Sequence, residues 1–442
     1  MGKIFFFALA AGFVWALIFK PNILAVLLFA LVLGDINLDV PGLPFNLRAI
    51  LSIFLLGRII WKKQVEDHPP FLLANFTVVM ICFFLYFMMT SWANDLLDFS
   101  AFKEFVTTFL CAYVAYYFFF ETKNSSLLQY GMMLGGTVCL ADLIYTYRVV
   151  GSFPINRLID VYTGKINAGD YTPTNHNFFA YVCALIFVYF FNEFMRGKLL
   201  HKWMWVVLPA MLIGTIMSTG RTGLLVMILL MFYIFYDVIR GSKEGARRVA
   251  KFITVAVMSI CIGILGFQTI STVFDIDTKL AENMSTRLID EPVAVINKHL
   301  GYNYNANALN SMEWREEASD IAYNTFMSLS PKEQIFGIGS KGFYARNFGH
   351  GFNAHNGIFL LLIEGGLIGF SIYFIMIFLL IRKVMKFHIK PSSYFGLIFI
   401  LLFTVSNNNE MTAATAFLII GTLMAELELN SQIGRLGSIT TV

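Results

Sequence analysis

The chain has 442 residues, of which 57% are hydrophobic and only 14% charged, with a formal net charge of +4. Soluble domains carry about a quarter of their residues charged, so this composition excludes a water-soluble globule. The slight basic excess lies in short segments between apolar runs, where membrane orientation accounts for it, and no nucleic-acid partner is expected.

In chain order, apolar runs lie near residues 4–19, 22–36, 48–61, 71–93, 104–120, 126–146, 178–195, 203–217, 221–239, 251–270, 355–381, 394–406 and 411–427. A bilayer crossing takes about 20 apolar residues, and in lipid each segment must satisfy its own backbone hydrogen bonds. Helices do this, and the runs are too long and too uniformly apolar for barrel strands. The expected fold class is therefore all-α, a polytopic membrane protein with 12 to 13 spans forming one transmembrane domain over residues 1–442. The first run is read as a helix rather than a signal peptide, because Ala8 to Ala10 comes too early for a cleavage motif.

Basic residues orient the chain. Lys62 and Lys63, then Arg196, Lys198 and Lys202, then Arg240, Lys243, Arg247, Arg248 and Lys251, then Arg382, Lys383, Lys386 and Lys390 all fall on one side of an alternating topology. That side is expected to be cytoplasmic. The long segment from about 271 to 354 then lies outside as a periplasmic loop. Its length points to function, and its aromatic anchors, Trp314, Phe326, Phe336, Phe343 and Phe348 among them, argue for order. Asn310 with Glu313 reads as a helix-capping pair and Pro331 as a stop, so a helix is expected near 311–329. Cys82, Cys111, Cys139, Cys183 and Cys261 all sit inside apolar runs and are expected to pack there.

Arg221, in Ser218-Thr219-Gly220-Arg221-Thr222-Gly223, stands at the outer membrane boundary of this topology. An arginine there either snorkels from a helix end or has a partner or a task. His350 and His355, in Gly349-His350-Gly351-Phe352-Asn353-Ala354-His355-Asn356, lead into a helix containing Glu364-Gly365-Gly366-Leu367-Ile368-Gly369. Asn353 or Asn356 suits the helix cap, leaving His355 free for proton chemistry near neutral pH. No acidic or cysteine partner completes a ligand set with the two histidines, so no metal is expected. Arg315 on the loop helix has Glu316 or Asp320 as surface partners, and Gly337-Ile338-Gly339-Ser340-Lys341-Gly342 reads as a tight turn, since no strand precedes it. The segment 167–177, with His176 and Arg157 nearby, and the turn Asn407 to Glu410 are further candidates for lining a cavity.

Arg221 in its Ser-Thr-Gly-Arg-Thr-Gly context, Arg315, the Gly337-Ile338-Gly339 turn and His355-Asn356 before Glu364-Gly365-Gly366-Leu367-Ile368-Gly369 together resemble the O-antigen ligase and polymerase superfamily over roughly residues 170–380. One departure is Gly-Arg-Thr-Gly where that family often has Ser-Arg-Gly. The resemblance implies about twelve helices, a large periplasmic loop, and an inverting, metal-independent glycosyltransferase of the bacterial inner membrane with no cofactor. Its donor would be an undecaprenyl-diphosphate-linked oligosaccharide and its acceptor another glycan or a lipid A-core sugar, with a chain-length regulator as a further partner. A polymerase is the first reading and a ligase the second; a flippase or other transporter belongs to a different class, and no repeat of discontinuous helices supports it. Arg221 and Arg315 would hold the diphosphate and His355 would act as base, with His350, Asn356, Arg346, Arg157 and His176 as substrate contacts.

Overall fold

In the computed structural model, the described residues are 20–33, 46–65, 75–97, 99–122, 126–150, 176–218, 220–240, 245–273, 290–303, 310–346, 348, 356–386 and 414–439. Their regular structure is entirely helical, as an all-α membrane protein requires. The helices are α1 (Pro21–Leu33), α2 (Leu47–Val65), α3 (Asn75–Ala93), α4 (Phe99–Thr122), α5 (Ser126–Val150), α6 (His176–Met195), α7 (Val207–Met217), α8 (Arg221–Arg240) and α9 (Gly245–Val273). They continue as α10 (Glu291–Leu300), α11 (Asn310–Ser328), α12 (Pro331–Phe336), α13 (Gly342–Ala345), α14 (Gly357–Lys386) and α15 (Ala414–Ile439). Every apolar run that falls among the described residues forms a helix; the runs at 4–19 and 394–406, and the turn Asn407 to Glu410, lie outside them. Ala246–Val273 and Gly357–Met385 are each long and apolar enough to cross a bilayer, and shorter apolar helices accompany them.

Contacts sort the helices into two units. In one, α4 packs against α2 and α15, while α3, α12 and α13 pack on α14. Aromatic rings fill the α3 side of this unit, with Phe83 5.7 Å from Tyr373 and Phe84 4.9 Å from Phe417. In the other, α6 packs against α7 and α8, and α7 against α9. Helix α6 is buried all round, its Phe179, Tyr181, Phe190 and Phe191 among the most enclosed side chains of the chain. Helix α9, basic at its start and apolar beyond Lys251, exposes Ile253, Val257, Ile260, Ile264 and Leu265. In a chain of this composition, such a surface faces acyl chains.

Local signals set the helix ends. Gly197 adopts φ 68° just past α6. There the Lys198 N–H reaches back to Glu193 O at 2.8 Å and the Gly197 N–H to Phe194 O at 3.1 Å. The Lys251 ammonium donates to Phe194 O and Met195 O at 3.0 and 3.2 Å, adding a charged donor to the carbonyls of the helix end. Of the five cysteines, Cys111, Cys139 and Cys183 are buried while Cys82 and Cys261 are exposed; all are free thiols.

The helix expected near 311–329 is α11, and Pro331 does follow its end. Pro331 also opens a second helix, α12. The Ser330 hydroxyl accepts the Glu333 N–H at 3.3 Å, and Glu333 Oε2 accepts the Ser330 N–H at 3.0 Å, a reciprocal capping box. Ser330→Ala is expected to weaken this turn by about 1 kcal/mol. Faster hydrogen exchange over 331–336 is the corresponding measurement, and unchanged exchange would remove the cap from the account.

Candidate active site

Helix α14 begins where His355-Asn356 meets an apolar run. Asn356 Oδ1 accepts the N–H groups of Ile358 and Phe359 at 3.1 and 3.3 Å, so the side chain caps the helix. Its Nδ2 donates to Ser319 Oγ at 3.3 Å, tying the cap to α11. One turn further along both helices, Tyr323 meets Phe359 edge to face at 5.7 Å. Arg315 lies one turn before Ser319 on α11, because residues four apart share a helix face. The face of α11 that carries Ser319 and Tyr323 therefore runs beside the first turn of α14.

Further along, α14 is broken at Gly366, which takes φ 62° and ψ −172°. The break frees carbonyls, and the Gly337–Gly339 turn closes them: the Ile338 N–H donates to Ile363 O at 3.1 Å and the Gly339 N–H to Glu364 O at 2.9 Å. The Tyr86 hydroxyl lies 2.7 Å from Phe336 O and 3.0 Å from Gly365 O, and Ser91 Oγ accepts the Ser340 N–H at 2.9 Å. Gly337 and Gly339 have φ of 77° and 89°, and a Cβ on Gly337 would run into the Glu364 carbonyl. The Gly-Ile-Gly and Glu-Gly-Gly motifs are thus two halves of one backbone joint. A broken helix survives at membrane depth only when neighbouring groups re-satisfy its backbone.

Arg346 follows α13 and is exposed, yet its fork is engaged. Nη1 is 2.6 Å from Glu333 Oε1, and Nη2 is 3.2 Å from Asn94 Oδ1. The Arg346 guanidinium, with the Ser330 hydroxyl and N–H, holds the Glu333 carboxyl down at about 2, below its ordinary 4.5. A carboxylate with a depressed pKa contributes stability above its ordinary value and loses it as pH falls through the folded one. The Arg346–Glu333–Ser330 link is accordingly expected to hold above pH 4.5 and to loosen progressively toward pH 2.

Arg221 is the first residue of α8. The preceding turn is closed by Ser218, whose hydroxyl donates to Thr215 O at 2.7 Å and accepts the Gly220 N–H at 3.4 Å. Gly223, the last glycine of that motif, lies where a Cβ would meet the Ala180 backbone at 2.5 Å, so α8 and α6 touch there main chain to main chain. His176 is the first residue of α6. Arg157, His350 and His355 lie outside the described residues. Sequence reasoning missed Tyr86, Ser91, Asn94 and Glu333, and for the first three no local pattern could have revealed contacts some 250 positions away. Glu333 was legible in Ser330-Pro331-Lys332-Glu333, where a capping Ser and Glu flank a helix-starting Pro.

Described residues whose regular structure is helical throughout, in a chain of membrane composition, with α11 lying along the start of α14, define the class. Residues 206–374 match the O-antigen ligase family, so over that part the chain is similar to the O-antigen ligase and polymerase superfamily of membrane enzymes. The matched range runs from the turn before α7 into α14 and takes in Arg221, Arg315, Arg346, His350, His355 and Asn356; His176 and Arg157 precede it. No curated protein matches the sequence. The family supports an activity of the O-antigen ligase or polymerase type in lipopolysaccharide biosynthesis.

Proposed function

We propose that the chain is an inverting glycosyltransferase of the bacterial inner membrane, working on the periplasmic face without a metal ion. It takes a glycan from an undecaprenyl-diphosphate carrier. The acceptor hydroxyl forms a new bond to the anomeric carbon as the bond from that carbon to the diphosphate oxygen breaks, and a single displacement inverts the centre. His355 accepts the hydroxyl proton, and Arg221 and Arg315 stabilise the departing diphosphate with fixed guanidinium forks. Asn356 serves the site by seating the first turn of α14, since both ends of its amide are committed to protein groups. His350, Arg346, Arg157 and His176 are proposed substrate contacts; for Arg346 this requires sharing or exchanging Glu333.

The observation that supports this reading is the α11–α14 contact within the matched range, where Ser319 and Tyr323 of α11 meet the first turn of α14. A polymerase, joining lipid-linked repeat units, is the first reading. The description of the matched family favours the second, a ligase that passes the finished glycan to lipid A-core. A deletion strain decides. Core carrying single repeat units identifies a polymerase, and bare core with accumulated lipid-linked polymer identifies a ligase. Unchanged surface polysaccharide would overturn both readings, and lipid-linked units stranded on the inner leaflet would identify a flippase instead.

A further inference from the structure

Glu364 is 6% exposed, and its Oε1 has no hydrogen-bond partner among the described residues. The backbone N–H groups of Lys341 and Phe343 donate to its carboxylate. Those two groups belong to the start of α13, a four-residue helix whose first N–H groups have no partners within the helix itself. Lys341 has φ 62°, a left-handed conformation that a side-chain-bearing residue keeps only when its surroundings impose it. Ser91 holds the neighbouring Ser340 N–H, and the Glu364 carbonyl holds the Gly339 N–H. Glu364 thus grips the turn twice, by its main chain at Gly339 and by its side chain at Lys341 and Phe343. The grip is passed on: the Ala345 N–H bonds Lys341 O at 2.9 Å and the Arg346 N–H bonds Gly342 O at 3.0 Å. Arg346 opens the connection to Asn356, along which the sequence carries His350 and His355.

We propose that Glu364 is a positioning residue of the transfer site: its carboxylate fixes the start of α13 and, through it, Arg346. This rests on the glycosyl-transfer reading above. The role needs an acceptor oxygen and not a negative charge, and this separates it from acid–base chemistry by the same carboxylate. Glutamine keeps a carbonyl oxygen able to accept both N–H groups; leucine, of similar size, keeps none.

The test uses the full chain in lipid nanodiscs with two readouts: trypsin cleavage after Lys341 and Arg346, mapped by mass spectrometry, and transfer from a lipid-linked glycan. E364L is expected to be cut faster at both positions and to lose kcat by roughly 10- to 100-fold with little change in donor KM, as misplaced catalytic groups do. E364Q is expected to match the wild type in both. Cleavage of E364L at the wild-type rate would overturn the proposal. So would an E364Q enzyme that resists trypsin normally yet transfers as poorly as E364L, because the carboxylate charge would then be acting in the chemistry. A wild-type chain that transfers nothing would defeat the glycosyl-transfer reading, and the cleavage arm would still decide whether Glu364 anchors the turn.

Discussion

Arg221→Ala is expected to remove glycan transfer by roughly 10²- to 10³-fold, the usual loss when one preorganised charge-stabilising donor is deleted. It should do so without loss of fold. Arg221 is the first residue of α8, and a cation at a helix N-terminus opposes the helix dipole by about 0.3–1 kcal/mol. Alanine relieves that opposition, so the variant should be slightly more stable than the wild type. That pair of outcomes would mark a site where local preference yields to function. Arg221→Lys should recover only part of the activity, since an ammonium supplies a point charge in place of a planar fork. His355→Ala is expected to fall by a comparable factor through loss of the base. Transfer from a purified lipid-linked donor, normalised to protein accumulated in the membrane, measures these effects. Full activity in either alanine variant removes that residue from the mechanism.

Gly366→Ala is the substitution expected to harm the structure most. Gly366 takes φ 62°, and a Cβ there would overlap the Gly337 nitrogen and the Ile335 carbonyl. The strained backbone alone costs about 1–3 kcal/mol. Relief by movement would separate Gly337–Gly339 from α14 and leave the Ile363 and Glu364 carbonyls unpaired in apolar surroundings, at a further cost of about 1–3 kcal/mol for each. Poor accumulation and a lowered melting transition in detergent are expected. Gly57→Ala is the control, since nothing lies within 4 Å of a Cβ at that position. Equal melting of the Gly366→Ala variant and the wild type would show that the α14 break is not a fixed joint.

Much of this molecule is readable in one dimension. Helices α2 to α9 follow the apolar runs within a few residues at most ends, because an apolar run in lipid has no alternative to closing its own hydrogen bonds. The helix at Asn310–Ser328 lies where the sequence placed one, ahead of Pro331. Arg221, Arg315 and His355-Asn356 fall within the family match. The joint between the Gly-Ile-Gly turn and the Glu-Gly-Gly break was not legible, although both motifs stand out in the sequence. Each is a glycine cluster by itself, and only the Ile338–Ile363 and Gly339–Glu364 hydrogen bonds show that one exists to close the other.

Burial was equally hidden. Helices α6 and α9 both carry long apolar stretches, yet α6 is largely enclosed while α9 shows most of its surface. In water the periodicity of polar residues would have separated a core face from an outer one. In lipid both faces are apolar, and that signal vanishes. Hydropathy by itself therefore determined that this chain is a helical membrane protein and where its helices run. Which faces meet, which helix breaks, and which buried carboxylate grips the turn before the histidines were decided by tertiary packing, because those pairings join residues far apart in the chain.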